Sequence, residues 1–504
     1  MNTDNKCSPV RTKMGAVLTV LAVSLVCFGA PVFGQEQTDA EKKIEELEKQ
    51  LQQIKDSLRD GDDVGARIEA LEKEFAKLKE EMASASPGEA DPSSASDQDA
   101  TAAKQLPRSG MQGAPNPLQD DHRYLTGKDL LDDSFPNSIP IPGTDARFAI
   151  RGYAKLDFIQ DLDYVGDRFE FELATIPVEG TPEAALDGRT TLHAKETRIG
   201  FDFRTTARNE KHGWEFPLQA FLEIDFFEDR EELSRQPRLR HAYGVVGRFL
   251  VGQTWTISAD LEALAGTIDF SGGDALYGDR VAQIRMQDRA GKNLQWAFGL
   301  EDPKGDIGNP LELPGQNRPS LPNLAGKLRW TSERGSHFQV AADVFQLDWQ
   351  GGDTGPSDTE IGFGLNLTGR WLLGKGGNNA IMGGGTIGQG SAHRVVALEG
   401  GNDAVITPDG MDVMSHWQAY IGYSHYWTKS LNSTISTAWT ELDNSVFQPG
   451  DAIHRAGSFH LNLIWFPYKL ASTGFEIMWG VRENKDGAEG TAFRIQYMAK
   501  FKFN

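Results

Sequence analysis

The stretch that decides the fold is SFHLNLIW, residues 458–465. Every second residue in it is apolar, beginning at Phe459, and the residues between them are mostly polar, beginning at Ser458. A period of two places one set of side chains on each face of a β-strand. The same alternation recurs along the chain, with further apolar faces over Phe148–Phe158, Ile199–Phe203, Leu294–Leu300, Ile361–Leu367, Phe475–Val481 and Phe493–Phe503.

These segments are roughly ten residues long, the length that a tilted strand needs to cross a bilayer. The alternative is a soluble all-β protein whose apolar faces pack against a second sheet. The opposite faces carry charges in strand after strand, which disfavours a second core. The sequence therefore predicts an all-β fold, a 16-stranded antiparallel transmembrane β-barrel over residues 147–504, preceded by an α-helical coiled coil.

The connections between the predicted strands support a barrel, because long and short ones alternate. A transmembrane barrel has tight turns at its periplasmic end and longer loops outside. Tryptophans near the strand ends fit an aromatic belt at the bilayer surface, namely Trp255, Trp330, Trp371, Trp427, Trp439 and Trp479. The predicted long connections are 162–193, 257–279, 302–321, 389–413 and 483–490, with 228–235 intermediate. The predicted short ones are 209–213, 246–248, 288–292, 333–335, 374–378, 428–430 and 467–469.

Three segments precede the barrel. Residues 1–34 have a charged start and a short apolar run, which predicts a secretory signal peptide rather than an uncleaved anchor. Residues 38–83 carry apolar residues at alternating spacings of three and four, which favours a periplasmic coiled coil over a lone amphipathic helix. Residues 84–146 are an acidic linker rich in Pro, Ser and Gly.

Composition disfavours several functions. The net charge of -21 and the pI of about 5.0 argue against a nucleic-acid partner. The two cysteines are Cys7 and Cys27, so the barrel sequence has no thiol nucleophile or Cys-based metal site. The His residues lack metal-ligand spacing, and no nucleophile and base stand out. We therefore expect no enzyme, no catalytic residues, no metal and no cofactor.

The predicted inward face carries a basic pattern near mid-strand. Arginine forks pair well with carboxylates, so such a series can guide anions. The connection after the fifth strand is acidic; if it folds inward, its carboxylates would face the basic groups across a constriction. For any single cation the alternative is pairing with a neighbouring Glu196, Asp202 or Glu223. The candidate pore-lining residues are Arg151, Lys155, Arg198, Arg238, Arg240, Arg285 and Arg329, and the candidate constriction residues are Asp260, Glu262, Asp269 and Asp274.

Three stretches resemble the DcaP-like porins: ETRIGF at 196–201, RLRHAYG at 238–244 and LVGQTW at 250–255. The Asp269-Phe270 pair and residues 280–285 also fit that family. The resemblance implies a trimeric porin of 16 strands per subunit with a periplasmic coiled coil, and uptake of dicarboxylates and similar anions. It also implies pore contacts for Arg198, Arg238, Arg240 and Arg285. Asn504, which follows Phe503, departs from the aromatic residue that often ends such barrels.

The leading hypothesis is an outer-membrane porin for passive diffusion of small hydrophilic solutes, with a preference for anions such as dicarboxylates. Two alternatives stay open: a porin of the phosphate-selective O/P type, and a structural envelope tether through the coiled coil. A barrel enzyme is the minority hypothesis. The expected partners are outer-membrane lipid, two further copies in a homotrimer and small anionic solutes, with periplasmic or peptidoglycan contacts as a further expectation. The expected location is the bacterial outer membrane.

Overall fold

The alternating segments form long strands in the computed structural model, which describes residues 135, 137–209, 211–227, 236–374 and 379–503. The predicted signal peptide, the predicted coiled coil and most of the predicted linker lie outside these residues. The barrel strands are β1 Arg147–Asp161, β2 Arg198–Asn209, β3 Trp214–Asp225, β4 Arg238–Val246, β5 Phe249–Trp255, β6 Arg280–Ala290, β7 Leu294–Glu301, β8 Asn323–Thr331, β9 His337–Gln350, β10 Asp358–Leu373, β11 Asn379–Gln389, β12 Ser415–Tyr426, β13 Leu431–Leu442, β14 Ile453–Tyr468, β15 Ala471–Asn484 and β16 Glu489–Lys502.

Each strand pairs antiparallel with the next, and β16 pairs with β1 from Tyr153–Lys502 to Asp161–Arg494. This last pairing closes a barrel of 16 strands, which confirms the predicted all-β antiparallel barrel. Short strands extend its edges at Ile139–Pro140, Thr190–His193 and Gln316–Asn317. A separate three-stranded sheet joins two loops through Ile307–Gly308, Ala404–Thr407 and Gly410–Val413.

The two faces of each strand differ as the period of two predicts. Outward apolar side chains such as Leu156, Phe298 and Phe501 are exposed, whereas inward polar ones such as Asp157 and Gln496 are buried. In a bilayer this arrangement is favourable, because lipid tails cover the apolar face and closure leaves no unpaired strand edge. The barrel interior therefore receives most of the charged residues of the strands.

The connections alternate in length, with one exception. The short turns are 210–213, 247–248, 291–293, 332–336, 374–378, 427–430 and 469–470, and the loops at the other end are 162–197, 226–237, 256–279, 302–322, 351–357, 390–414 and 443–452. The connection 485–488 also belongs to the loop end but is shorter than predicted, because β15 and β16 keep pairing up to Glu483–Glu489. The chain enters β1 and leaves β16 at the turn end of the barrel.

The helices among the described residues are 3-10 turns within the loops. Their bounds are Leu173–Thr175, Pro182–Ala185, Leu261–Ala263, Ala392–Arg394 and Val396–Leu398. Across the part of the chain that the structure describes, no helix has the length and apolar character to span a membrane.

Most tryptophans at the strand ends face outward, but Trp255 does not. Trp330, Trp371 and Trp427 are exposed near the turn end. Trp255 is buried, with the Arg280 guanidinium 4.7 Å from its ring centroid. Its assignment to an aromatic belt is wrong, because β5 ends there and the following loop turns into the barrel. Trp439 and Trp479 are exposed towards the loop end.

An apolar core lies inside the barrel near the loop end. Loop residues such as Phe171, Tyr277 and Leu398 pack there against inward strand residues such as Leu442 and Met478. Alternation alone predicts a polar interior, but these loops bring their own apolar side chains. The loops consequently fill part of the lumen near its loop end.

Candidate functional site

The 256–279 loop after β5, called here the inner loop, folds into the lumen and is held first by Glu301 at the end of β7. Thr256 Oγ1 donates to both oxygens of this carboxylate at 2.7 and 2.6 Å, and the Ile257 amide donates to it at 2.7 Å. The Gln339 side chain donates to the carbonyl of Ser258 at 3.1 Å. Buried backbone groups need such partners, so this end of the loop is fixed to the wall.

A second attachment of the inner loop is the carboxylate of Asp260. It accepts from Thr368 Oγ1 at 2.7 Å, His337 Nε2 at 2.9 Å and Arg329 Nη1 at 3.3 Å. Burial would raise the pKa of Asp260, but the charges of His337 and Arg329 outweigh it and hold the pKa below its ordinary value. Asp260 is thus an ionised link between the loop and β8, β9 and β10.

The far part of the inner loop reaches the opposite wall. Asn462 on β14 donates to the Gly266 carbonyl at 2.7 Å, and Lys155 on β1 donates to the Ile268 carbonyl at 2.8 Å. Glu476 on β15 accepts from the Ile268 amide. The loop therefore crosses the lumen from β7–β10 to β14, β15 and β1, which is the inward fold that the sequence analysis considered.

Four of the sequence-derived cations, Lys155, Arg198, Arg238 and Arg240, lie together on the wall beside this crossing. Arg240 donates to Glu223 and to Asp225 at 2.8 Å each, and Arg238 makes two bonds to Asp225 at 2.9 and 2.8 Å. Paired, charge-assisted bonds of this kind fix both groups in place. We call these cations the upper cluster.

The remaining members of the upper cluster are also matched by carboxylates. Lys155 contacts Glu196, which also accepts from Tyr153 Oη at 3.0 Å. Arg198 lies 3.8 Å from Glu223. Pairing with Glu196 and Glu223, the alternative that the sequence analysis kept open, is therefore the arrangement in this cluster.

Phe270 joins the inner loop to the upper cluster. The guanidinium carbons of Arg198, Arg238 and Arg240 lie 6.0, 5.5 and 5.7 Å from its ring centroid. At these distances a ring face attracts a cation. The inner loop is thus held to β2 and β4 by an aromatic contact in addition to its hydrogen bonds.

A second group of cations, the lower cluster, lies on β6, β8 and β10 towards the turn end: Arg285, Lys327, Arg329 and Arg370. Arg329 contacts Asp260 and Glu262 of the inner loop. Arg370 is buried, and among the described residues its Nε and Nη2 have no hydrogen-bond partner. On this wall the inner loop supplies the carboxylates, and Glu262 keeps 39% of its side chain exposed.

Arg151 stands apart from both clusters, near the turn-end mouth. Its Nε lies 3.3 Å from Asp202, whose carboxylate also accepts two bonds from Arg204. The Phe135 ring packs on this pair, with the guanidinium of Arg204 4.0 Å and that of Arg151 5.4 Å from its centroid. Phe135 belongs to the segment predicted as linker, and its ring is buried against the barrel wall.

The four candidate constriction residues do not act as one set. Asp260 and Glu262 meet the lower cluster, whereas Asp274 lies 3.2 Å from His460. Asp269 accepts from the Phe171 amide at 3.0 Å and from Ser271, and burial raises its pKa. One end of the inner loop thus places carboxylates against the lower cluster, and the other end is held to neighbouring elements by hydrogen bonds and an ion pair.

Several charged lumen residues were not among the candidate pore-lining residues. Arg370, Arg494 and Lys500 occupy inward positions of β10 and β16, so the alternation contained the signal for them. Arg394 lies in the 390–414 loop, where no periodicity marks it, and donates to Glu301 at 2.9 Å. Within the described ranges, no cluster of His, Cys, Asp and Glu is arranged to hold a metal ion.

Comparison with known proteins gives one family and one fold. The family model described as DcaP outer membrane protein matches residues 140–503. The outer membrane channel DcaP of Acinetobacter baumannii is 18% identical, with a TM-score of 0.61, covering 72% of this chain and 99% of its own. The anion-selective porin from Comamonas acidovorans is 10% identical, with a TM-score of 0.46, covering 71% and 100%. No curated protein matches the sequence.

Proposed function

Since the chain belongs to the DcaP outer membrane protein family of outer membrane channels, we propose that it conducts small hydrophilic solutes by passive diffusion and prefers anions. The observation that carries the anion preference is the lower cluster. Arg285, Lys327, Arg329 and Arg370 share one wall, and the carboxylates that face them come from the inner loop. A permeating anion therefore meets cations on three alternate strands of this wall, β6, β8 and β10.

The chemistry of the lower cluster favours carboxylates as solutes. Guanidinium groups hold planar carboxylates by two parallel bonds, and two such groups suit a dicarboxylate. Phosphate is the second candidate solute, because it accepts bonds from the same groups. Block of the current by succinate but not by phosphate supports dicarboxylates as solutes. Block by phosphate but not by succinate supports phosphate.

A planar bilayer under a KCl gradient tests the proposal. The wild type should give an anion-selective reversal potential, and Arg370→Gln should shift it towards zero because one lumen cation is lost. Lys429→Gln is the matched control, because Lys429 is exposed in the 427–430 turn. A cation-selective reversal potential contradicts the anion preference, and absence of conductance contradicts the channel.

We further propose that the functional unit is a homotrimer with the coiled coil of residues 38–83 in the periplasm. Short turns face the periplasm in such barrels, and the described chain enters β1 at that end. Native mass spectrometry in mild detergent should report three copies of the chain. A monomer under these conditions contradicts the proposal.

A structural tether is the second candidate function. The Phe135 ring packs against the guanidinium groups of Arg204 and Arg151 at the barrel mouth, so the described chain is already fixed to the barrel ahead of β1. Deletion of residues 35–83 separates the two functions. Unchanged solute uptake with loss of envelope integrity supports the tether, and unchanged integrity argues against it.

A further inference from the structure

The outer wall of the barrel has a hollow between β6 and β9, with a volume of about 880 Å³. Its floor is Gly326 on β8 and Ala342 on β9, which are paired residues in the sheet. The exposed side chains of Phe298, Leu324 and Leu328 rise around this floor. The hollow is thus apolar and open to the surrounding bilayer.

Internal packing does not require the small residue at the floor. A Cβ added to Gly326 would meet the Ala297 carbonyl oxygen at 3.7 Å and Phe298 Cβ at 3.9 Å, which are ordinary contacts. A larger side chain could therefore occupy this position without displacing its neighbours. The space that glycine leaves is available to a group from outside the chain.

The turns below the hollow are positively charged. Lys292 is exposed in the β6–β7 turn 291–293, Arg334 is exposed in the β8–β9 turn 332–336, and Arg289 is exposed nearby. Glu333 is the exposed carboxylate beside Arg334. Every other turn of this end with a described side chain also carries an exposed cation: Lys211, Arg248, Lys429 and Lys469.

The distance between hollow and turn suits one lipid leaflet. Six residues separate Gly326 from residue 332, or about 20 Å of strand at 3.3 Å per residue. At a tilt of about 45° this is roughly 14 Å of depth, close to half of the 30 Å hydrocarbon core. A lipid with its headgroup at Lys292 and Arg334 would place an acyl chain end in the hollow.

We propose that the hollow and the two turns form a binding site for an anionic phospholipid of the periplasmic leaflet. Its phosphate pairs with Lys292 and Arg334, and one acyl chain covers Gly326 and Ala342. This site lies on the outer wall and does not depend on the selectivity of the lumen.

Retention of phosphatidylglycerol, compared with phosphatidylethanolamine, tests the site by native mass spectrometry of the full chain in detergent. The wild type should retain phosphatidylglycerol preferentially. Lys292→Gln with Arg334→Gln should weaken this retention by about fivefold per cation removed. The matched control is Lys211→Gln with Lys469→Gln, two exposed cations of other turns at the same end, which should retain the lipid as the wild type does.

Filling the hollow tests the acyl-chain half of the site. Ala342→Leu should lower retention of both phospholipids while leaving their order of preference unchanged. Ala419→Leu, an equally outward position on β12, is the control that should change neither. Equal lipid retention by the variants and their controls overturns the proposal.

Two other outcomes also overturn it by identifying a different occupant. The barrel sequence has no cysteine, so Ala342→Cys introduces the single thiol of residues 147–504 for cross-linking. Cross-linking from residue 342 to another copy of the chain assigns the hollow to a subunit contact. Displacement of phosphatidylglycerol by lipopolysaccharide assigns it to the outer leaflet. Conductance of the variants is measured in parallel and should equal that of the wild type.

Discussion

Asp260 decides at the scale of single residues how firmly the inner loop holds to the wall. Its carboxylate accepts three side-chain bonds from three successive strands. Removing the charge from a buried group of this kind costs about 1–3 kcal/mol, because its donors lose their partner. The loop conformation, and with it the bore of the channel, should therefore depend on the ionisation of this one side chain.

We expect Asp260→Asn to raise single-channel conductance at neutral pH, because the loop is less tightly held. The pKa of Asp260 lies below the ordinary value of about 3.9, so its stabilising effect is present above that pH and is lost as the pH falls through the folded-state value. The difference in conductance between variant and wild type should persist from about pH 8 to 5 and shrink below about pH 4.

The measurement is a pH series of single-channel recordings on both proteins. Glu262, His337, Lys327 and Arg329 surround residue 260 in both proteins, and the part of their effect that does not act through Asp260 cancels when the two are compared at each pH. A difference that disappears already between pH 8 and 6 contradicts the assignment to Asp260.

At this scale the sequence predicted which face a residue occupies but not its partner. Arg240 and Glu223 are 17 positions apart, on adjacent strands, and their proximity follows once β3 and β4 are paired. Arg394 and Glu301 are 93 positions apart, and one of them lies in a loop without periodicity. Partners of the second kind depend on loop conformation, which a period of two does not specify.

Among the elements, the β4–β5 hairpin has a position that only glycine suits. Gly252 has φ +131°, and a Cβ there would overlap the Ala242 carbonyl oxygen. We expect Gly252→Ala to lower the yield of folded barrel, because the side chain strains this pairing. Resistance of the folded band to SDS before heating measures the yield.

Gly244→Ala is the matched control for this prediction. Gly244 lies in the same hairpin, paired with Val251, and a Cβ there would meet the Gln219 carbonyl oxygen at 3.7 Å. It should fold as the wild type does. Equal yields for the two variants would show that the strain at Gly252 is absorbed elsewhere.

Strands were predictable because the bilayer imposes alternation on each of them, whereas loop paths were not. The turn after β6 begins at residue 291 rather than at 288, and the connections 351–357 and 443–452 were not recognised. Trp255 shows the same limit, since its burial depends on where the inner loop goes. Strand ends are set by turns and loops, whose residues lack the period of two.

On the scale of the whole molecule, the chain has a net charge of -21 although one wall of its lumen is basic. The lower cluster acts on ions through water, so salt should screen it. The Debye length falls from about 10 Å at 0.1 M to about 3 Å at 1 M. We expect the ratio of anion to cation permeability to decline towards unity as the KCl concentration rises over this range. Reversal potentials at a constant concentration gradient measure this ratio. A permeability ratio that does not change with salt would indicate selection by size.

Because β1 pairs with β16, the barrel cannot close until the last strand has been synthesised. The first strand to leave the ribosome must wait for the last, since their contacts join residues 153 and 502. Until residues 489–502 arrive, β1 and β15 are open edges whose amides and carbonyls would face hydrocarbon at high cost. Insertion into the bilayer should therefore be all-or-none. A chain that ends before β16 has no stable, partially inserted state.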